Sequence, residues 1–372
     1  MGLTGKLSLC LFLVTALVAP PRAHSAWQGP MEVLAGAWGI AQNEFGIEKG
    51  DMSDRLPWLT AILHDGKLVI SDKVNERELV YANNGAVLEV VSWYVVENGT
   101  KSVNPDYPKY KYWNVQGYTS DGSIWWNSGT KYFLRSSTGE ILQAKTQRPV
   151  ELGRVKKLRW GEDDYKVTVE YPDKIWGISG TGAFGRYMRD MSGTLYGVAS
   201  KLVARYSDCG VEVAELTLPP DKIKKIEAGV PGIEPMIKVI EEYGVVVLGP
   251  NGDVYTWKRT ETNYSILKWT WQDDSNAPTG SPEAPWGCRV SLSSSGLTLK
   301  WVLSAQDPGC VTGYEIARST TPGSGYSTIA TVEKGVTTYE DSGVTQGTYY
   351  YKVRAMAGSD AGAYSDEVSG TF

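Results

Sequence analysis

Glycine-tipped hairpins recur along most of the chain, and they constrain the fold more than any other feature. Each repeat places two short runs of strand-forming residues around a turn with glycine, because tight hairpin turns need a positive φ that glycine adopts easily. A further hairpin is predicted at 161–164, between runs at 155–160 and 165–171. The glycine tips are Gly66, Gly85, Gly122, Gly139, Gly193, Gly210 and Gly252.

The paired hairpins predict an all-β fold for residues 27–272. Two consecutive hairpins supply four antiparallel strands, so this region resembles a β-propeller of about five or six blades. The spacings are irregular and no blade signature recurs, so an irregular β-sandwich or barrel remains the alternative. The 41 Gly, 18 Pro, 14 Trp and 22 Tyr agree with many short strands and turns.

Two segments depart from the hairpin pattern. Residues 27–54 are interpreted as an N-terminal arm, in which a short helix over Met31–Ile40 would be interrupted by Gly36 and Gly39. Residues 219–240 are interpreted as an insertion or an inter-blade loop. In that segment, Asp221–Ala228 has helical spacing before Pro231.

The first 26 residues are predicted to be a secretory signal peptide. Lys6 supplies a positive start, Leu7–Val18 is an apolar run too short to span a bilayer, and small residues precede Trp27. No later stretch is apolar for long enough to form a transmembrane helix. The whole chain has a net charge of −5, and removing Lys6 and Arg22, with no acid, gives −7. This acidic balance does not support nucleic-acid binding.

A polar linker is predicted at residues 273–284, followed by seven short strands in residues 285–372. The alternation from Tyr349 to Ala355 is typical of a half-buried strand, and Trp301 is the expected core anchor of an earlier one. With the Gly347-Thr348-Tyr349 sequence, this region resembles a fibronectin type III domain. The resemblance implies a β-sandwich in which the Tyr349 hydroxyl bonds back to the preceding corner.

The fibronectin resemblance also implies a disulfide between Cys288 and Cys310. In that fold both cysteines would lie at the same pole of the sandwich, and a disulfide suits a secreted protein. Two separate buried thiols are the alternative. Cys209 is left without a partner in this interpretation.

The sequence contains no convincing catalytic site, and no cofactor or metal site is predicted. Residues 180–185 match GxGxxG, but they do not open a helix in a βαβ unit, which dinucleotide binding requires. His64 is the single histidine after the signal peptide, so a multi-histidine metal centre is excluded, and we interpret it as a turn residue. The acidic runs at 162–164 and 273–274 lack the spacing of a calcium loop.

Tryptophans are the candidate ligand-binding residues, because sugar rings stack on exposed indoles. The candidates are Trp125, Trp126, Trp257, Trp269 and Trp271. We therefore expect a secreted or cell-surface protein, with the periplasm as a further location, that binds an extracellular glycan or protein without catalysis. A propeller-type glycoside hydrolase or sialidase-like enzyme and a structural subunit of a surface assembly are the alternatives. The composition and the form of the fibronectin-like region suggest a bacterial source.

Overall fold

The computed structural model describes residues 27–41, 44–46, 57–112, 114–159, 165–179, 184–226, 236–272, 280–307 and 309–372. Within these ranges, the regular structure other than β-strand is one four-residue helical turn and one three-residue 3-10 turn. The all-β prediction is therefore confirmed for this part of the chain. The predicted signal peptide and residues 273–279 of the predicted linker lie outside the described residues.

The hairpin tips adopt the conformation that the sequence predicts. All seven predicted tip glycines have φ between +81° and +93°, a region that side chains with a Cβ avoid. Short polar side chains support several turns. For example, the Asp121 carboxylate accepts the Ser123 amide at 3.0 Å. The predicted tip at 161–164 lies outside the described residues, but the strands on either side of it pair antiparallel.

The first part of the described chain contains two four-stranded sheets, and a separate hairpin lies between them. Its elements are β1 (Trp27–Ala37), β2 (Trp58–Ile62), β3 (Leu68–Asp72), β4 (Arg77–Tyr81), β5 (Val87–Ser92), β6 (Tyr94–Glu97), β7 (Thr100–Val103), α1 (Tyr107–Tyr110), β8 (Val115–Tyr118), β9 (Ile124–Ser128), β10 (Lys131–Arg135) and β11 (Ile141–Lys145). Sheet 1 has the order β2-β3-β4-β5, and sheet 2 has the order β8-β9-β10-β11. Strands β6 and β7 form the separate hairpin.

The next part adds three sheets. A 3-10 turn (Val150–Leu152) precedes β12 (Arg154–Arg159), β13 (Tyr165–Glu170), β14 (Ile175–Ser179), β15 (Arg186–Arg189), β16 (Leu195–Val198), β17 (Leu202–Tyr206), β18 (Glu212–Thr217), β19 (Lys222–Ile226), β20 (Met236–Tyr243), β21 (Val247–Leu248), β22 (Val254–Thr260) and β23 (Asn263–Trp271). Sheet 3 is β12-β13-β14, and sheet 4 is β15-β16-β17-β18. Sheet 5 has the order β1-β23-β22-β20-β19, and β21 also pairs with β22.

The two segments that were predicted to depart from the hairpin pattern both contain strands of sheet 5, so those two predictions are wrong. The segment predicted to be an N-terminal arm contains β1, which pairs antiparallel with β23 from Trp27 opposite Trp271 to Ala37 opposite Asn263. The segment with helical spacing contains β19, which pairs with β20. In both cases a neighbouring strand edge supplies backbone hydrogen bonds, and this tertiary pairing outweighs the weak local preference.

One large buried cluster joins sheets 1, 2, 4 and 5. It includes Ala61, Ile124, Met188 and Val254, one from each of these sheets. The Tyr118 hydroxyl strengthens the junction, because it lies 3.0 Å from the Ile62 carbonyl and 2.8 Å from the Leu248 carbonyl. Sheet 3 packs against sheet 4 in a second cluster around Trp176 and Tyr206.

The last part of the chain forms a two-sheet sandwich. Its strands are β24 (Trp286–Leu292), β25 (Leu297–Val302), β26 (Gly313–Ser319), β27 (Ser327–Glu333), β28 (Thr338–Asp341), β29 (Thr348–Ala357), β30 (Asp360–Tyr364) and β31 (Val368–Thr371). One sheet has the order β24-β25-β28, and the other has the order β27-β26-β29-β30, with β31 also on β29. Their shared core contains Trp301 at 3% exposure, as predicted. The Tyr349 hydroxyl accepts the Thr345 amide at 3.1 Å, which confirms the predicted corner.

The disulfide differs from the prediction. Cys310 bonds to Cys209, with a Cα–Cα distance of 5.0 Å, and Cys288 is a free thiol. The Cys310 connection runs along sheet 3, where Gly309 lies against the backbone of Ile175 and Gly177, so Cys310 reaches the β17-β18 tip. Cys288 is instead next to Ser365 inside the sandwich. The disulfide therefore links sheet 4 to the sandwich.

Candidate functional site

The predicted tryptophan platforms lie in the core, so their assignment to ligand binding is corrected. Trp125, Trp126, Trp257 and Trp269 are between 2% and 5% exposed. Sequence alternation does place Trp125 and Trp126 in different clusters, but both faces of sheet 2 are covered. The half-buried Trp271 has the Arg205 guanidinium 4.0 Å from its ring and Trp27 at its edge.

Other aromatic residues line a cavity of about 460 Å³, which we call the aromatic cavity. It lies where β2 of sheet 1, β8 of sheet 2, β15 of sheet 4 and β21 of sheet 5 begin. The residues that define its chemistry are Trp58, Lys73, Trp93, Tyr107, Tyr112 and Arg186. A volume of this size and a mainly apolar lining of aromatic and aliphatic side chains with some polar groups are typical of small-ligand sites, which span about 300–1,000 Å³.

The β6-β7 hairpin brings two of these rings together. It leaves sheet 1 directly after Trp93 and returns the chain at Asn104, whose amide nitrogen bonds to the Trp93 carbonyl at 2.9 Å. The short turn α1 then places the Tyr107 ring 5.6 Å from the Trp93 ring. Asn98 and Gly99, both at positive φ, form the tip of this hairpin. These two residues are the sequence signal that could have revealed this part of the site.

A buried carboxyl group lies directly behind the cavity wall. Glu78 on β4 is 3% exposed, and its Oε1 accepts the Ser71 hydroxyl at 3.0 Å and the Trp93 indole N–H at 3.2 Å. Ser71 and Trp93 both line the cavity. The Glu78 Oε2 atom is buried without a hydrogen-bond partner among the described residues. Burial raises the pKa of Glu78 to about 8, so the group is mainly protonated at neutral pH.

The cavity has two cationic side chains at its margin. The Lys73 Nζ lies 5.7 Å from the centre of the Trp58 ring, and Trp58 is 37% exposed. The Arg186 Nη1 donates to the Asn114 Oδ1 at 2.5 Å and to the Val115 carbonyl at 3.0 Å. The described residues that line the cavity include no aspartate or glutamate. A hydrolytic pair of opposed carboxylates is therefore not formed by these residues.

A second cavity of about 420 Å³, the polar cavity, lies among the turns of sheets 2, 3 and 4. Its cation is Arg189, which makes two hydrogen bonds to the Asp173 carboxylate at 2.8 and 3.0 Å. The guanidinium also lies 4.8 Å from the Tyr171 ring and donates to the Gly193 carbonyl at 3.1 Å. These internal partners occupy the guanidinium, so Arg189 has little remaining capacity for a ligand.

The remaining sequence candidates gain no chemical role. His64 lies in the turn between β2 and β3, next to Gly122. The GxGxxG stretch lies partly outside the described residues, and the chain after it continues as β15. The acidic runs at 162–164 and 273–274 also lie outside them. No group of three or more His, Cys, Asp or Glu residues suited to a metal ion is found in the described ranges.

The same described ranges contain no helix that is long and apolar enough to cross a membrane.

Comparisons with known proteins identify relatives for only part of the chain. No family model matches it. A segment of 92 residues is 38% identical to part of an amylopullulanase from Thermoanaerobacter thermohydrosulfuricus, covering 24% of this chain and only 6% of that protein.

The similar solved structures cover different shares of this chain. An Fn3-like protein from Clostridium thermocellum is 35% identical, covers 24% of this chain and 91% of that one, and has a TM-score of 0.22. The extracellular domain of a one-component system from B. thetaiotaomicron is 10% identical over 87% of this chain and 52% of that one, with a TM-score of 0.25. Fn3-like neighbours of this kind cover about a quarter of the chain.

Proposed function

We propose that residues 27–272 form a propeller-like domain with sheets 1 to 5 as its blades, and that residues 285–372 form a fibronectin type III domain. The pairing of β1 with β23 supports the first assignment, because it joins the two ends of the region in one sheet and covers a free strand edge. The sandwich strand order and the Tyr349 corner support the second.

The protein is a secreted or cell-surface binding protein, and the aromatic cavity binds a glycan without catalysis. The observation that carries this proposal is the cavity wall itself, in which Trp58 and Trp93 present indole rings beside hydrogen-bonding groups. The apolar faces of sugar rings stack on indoles, and sugar hydroxyls need donors and acceptors close to those rings.

Several polar groups are placed to meet sugar hydroxyls. Thr60 and Asn114 line the same cavity as the indoles. Behind the wall, the Glu78 carboxyl accepts hydrogen bonds from the Ser71 hydroxyl and the Trp93 indole N–H, so it holds two lining residues in place.

The fibronectin type III domain acts as a spacer or adhesion unit attached to the binding domain. The Cys209–Cys310 disulfide supports this role, since it fastens the β25-β26 connection to the β17-β18 tip. Disulfides also form and persist in the oxidising environment outside the cell.

A glycan-array screen of the purified full chain tests the proposal. We expect binding to a restricted set of glycans, and Trp58→Ala removes it because the stacking surface is lost. Trp286→Ala is the matched control, since Trp286 is an exposed tryptophan of the sandwich at 50% exposure. Release of reducing ends from the bound glycans would instead support a hydrolase. An empty array, together with self-association of the chain, would support a structural subunit.

A further inference from the structure

Resting on the proposed glycan-binding function, we propose that the aromatic cavity selects acidic saccharides. Arg186 is the specificity-determining residue, because it pairs with the carboxylate of a uronic acid while the sugar ring stacks on Trp58 or Trp93. Lys73 contributes a second positive charge at the cavity margin.

Among the described residues, only neutral groups hold Arg186 in place. Its Nη1 bonds to the Asn114 side chain and the Val115 carbonyl, and the described residues provide no carboxylate partner for the guanidinium. The side chain is partly buried, and desolvation lowers the pKa of Arg186. A partly buried cation without a carboxylate partner among the described residues gains most from a ligand that carries a negative charge.

Arg189, at the other end of the same strand, differs from Arg186 because it has a carboxylate partner. Asp173 binds both of its terminal nitrogens, so that cation is neutralised within the protein. Strand β15 therefore presents one arginine already paired with a carboxylate and one that is not. The unpaired one lines the aromatic cavity.

The charged side chains that line the cavity also favour an acidic ligand. Lys73 and Arg186 are its charged lining groups among the described residues, and both are positive. Glu78 lies behind the wall and is mainly protonated at neutral pH, so it does not cancel them. Two cations beside apolar rings match a sugar that combines a carboxylate with an apolar ring face. Arginine is well suited to this partner because its planar fork can bind both carboxylate oxygens.

Isothermal titration calorimetry with matched ligands tests the inference. The probes are trigalacturonate, an alginate trimer and a hyaluronan tetramer, each compared with its carboxyl-reduced, neutral counterpart. We expect at least one acidic oligosaccharide to bind at least 10-fold more tightly than its reduced form. Its affinity should also fall between 50 and 200 mM NaCl, because salt screens the charge pair.

Variants locate the effect on Arg186. Arg186→Gln should weaken the acidic ligand about 10- to 100-fold and leave the neutral counterpart nearly unchanged, since one charge-assisted pair is lost. Arg186→Lys keeps the charge without the fork, so we expect an intermediate affinity. Arg189→Gln is the matched control and should leave binding unchanged. Thermal unfolding of each variant establishes that it is folded.

The outcomes separate this inference from the proposed function. Equal binding of acidic and neutral ligands, with loss of both in Trp58→Ala, overturns the acidic selectivity and leaves glycan binding in place. A loss of acidic binding in Arg189→Gln rather than Arg186→Gln overturns the assignment of the residue. An absence of binding to any of the six ligands and to the glycan array overturns both proposals.

Discussion

The aromatic cavity and the polar cavity each contain one arginine from strand β15, but the two arginines have different surroundings. Arg189 in the polar cavity is bound by both oxygens of Asp173. Arg186 in the aromatic cavity bonds to an amide and a carbonyl oxygen. The two cavities also differ little in volume, about 460 and 420 Å³. Volume therefore does not distinguish them, and the pairing of their charges does.

The acids of the two cavities show the same contrast. Burial raises the pKa of Glu78 behind the aromatic cavity to about 8. The Arg189 hydrogen bonds lower the pKa of Asp173 in the polar cavity. In the polar cavity, Arg189 and Asp173 thus neutralise each other. In the aromatic cavity, Arg186 has no carboxylate partner among the described residues, and the acid behind the wall, Glu78, is mainly neutral. This difference indicates that a structural network occupies one cavity and that the other is suited to a ligand.

Among the proposed variants, Glu78→Gln should change the pH dependence of the free energy of unfolding most. Because the folded pKa lies above the unfolded value of 4.5, wild-type stability is fully present below pH 4.5 and falls as pH rises to about 8. Each pKa unit is worth about 1.4 kcal/mol, so the loss is on the order of a few kcal/mol. Glu78→Gln should remove this loss and melt about 5 °C or more above wild type at pH 9.

Asp173→Asn is the control for the pH series. The folded pKa of Asp173 is lowered, so its contribution is present above the ordinary value of 3.8 and is lost as pH falls. Its side chain is 60% exposed, which makes the effect small. If Glu78→Gln follows the wild-type curve between pH 5 and 9, the carboxyl is not buried as described.

The second prediction concerns the cavity tryptophans. Trp58→Ala and Trp93→Ala should each weaken glycan binding by about 1–3 kcal/mol, which is roughly 5- to 150-fold, because a stacking ring is lost. Calorimetric titration with the tightest ligand from the array measures this change. Tyr171→Phe in the polar cavity is the comparison and should leave the affinity unaltered. A loss of affinity in Tyr171→Phe alone would show that the glycan binds in the polar cavity instead.

The smallest effect is expected for the arginine charges in the unliganded protein. Arg189→Gln should lower the free energy of unfolding by about 1 kcal/mol, because it removes a partly exposed ion pair and a cation–π contact. Arg186→Gln should cost less, since it removes no ion pair and relieves an uncompensated charge. Chemical denaturation of both variants at pH 7 measures the difference. A larger loss in Arg186→Gln would show that this residue has a structural role instead.

Much of the fold could be predicted from sequence, because its determinants are local. Gly66 and Gly122 adopt the positive φ that their turns require. The alternation predicted from Tyr349 to Ala355 is observed in β29, where every second residue from Tyr349 to Ala355 is buried. The pairing of β1 with β23 could not be predicted in this way, because its partners are more than 200 residues apart.

The candidate site could not be predicted from sequence, because six separate stretches of chain between Trp58 and Val247 build it. Trp125 and Trp126 alternate between faces as expected, but alternation does not reveal that neighbouring sheets cover both faces. Trp58 and Trp93 are ordinary strand-end residues in the sequence, and only the approach of the β6-β7 hairpin and of sheets 4 and 5 creates a cavity beside them. The Cys209–Cys310 disulfide depends in the same way on the packing of distant segments.

Hydrogen–deuterium exchange with and without a saturating bound glycan locates the ligand on the chain. The aromatic cavity predicts slower exchange in peptides covering residues 58–60, 93–115 and 245–247, where its walls lie. Peptides covering 171–173 and 189–193 in the polar cavity should exchange at the same rate in both samples. Protection confined to those polar-cavity peptides, with none in the first set, would show that the aromatic cavity does not bind the glycan.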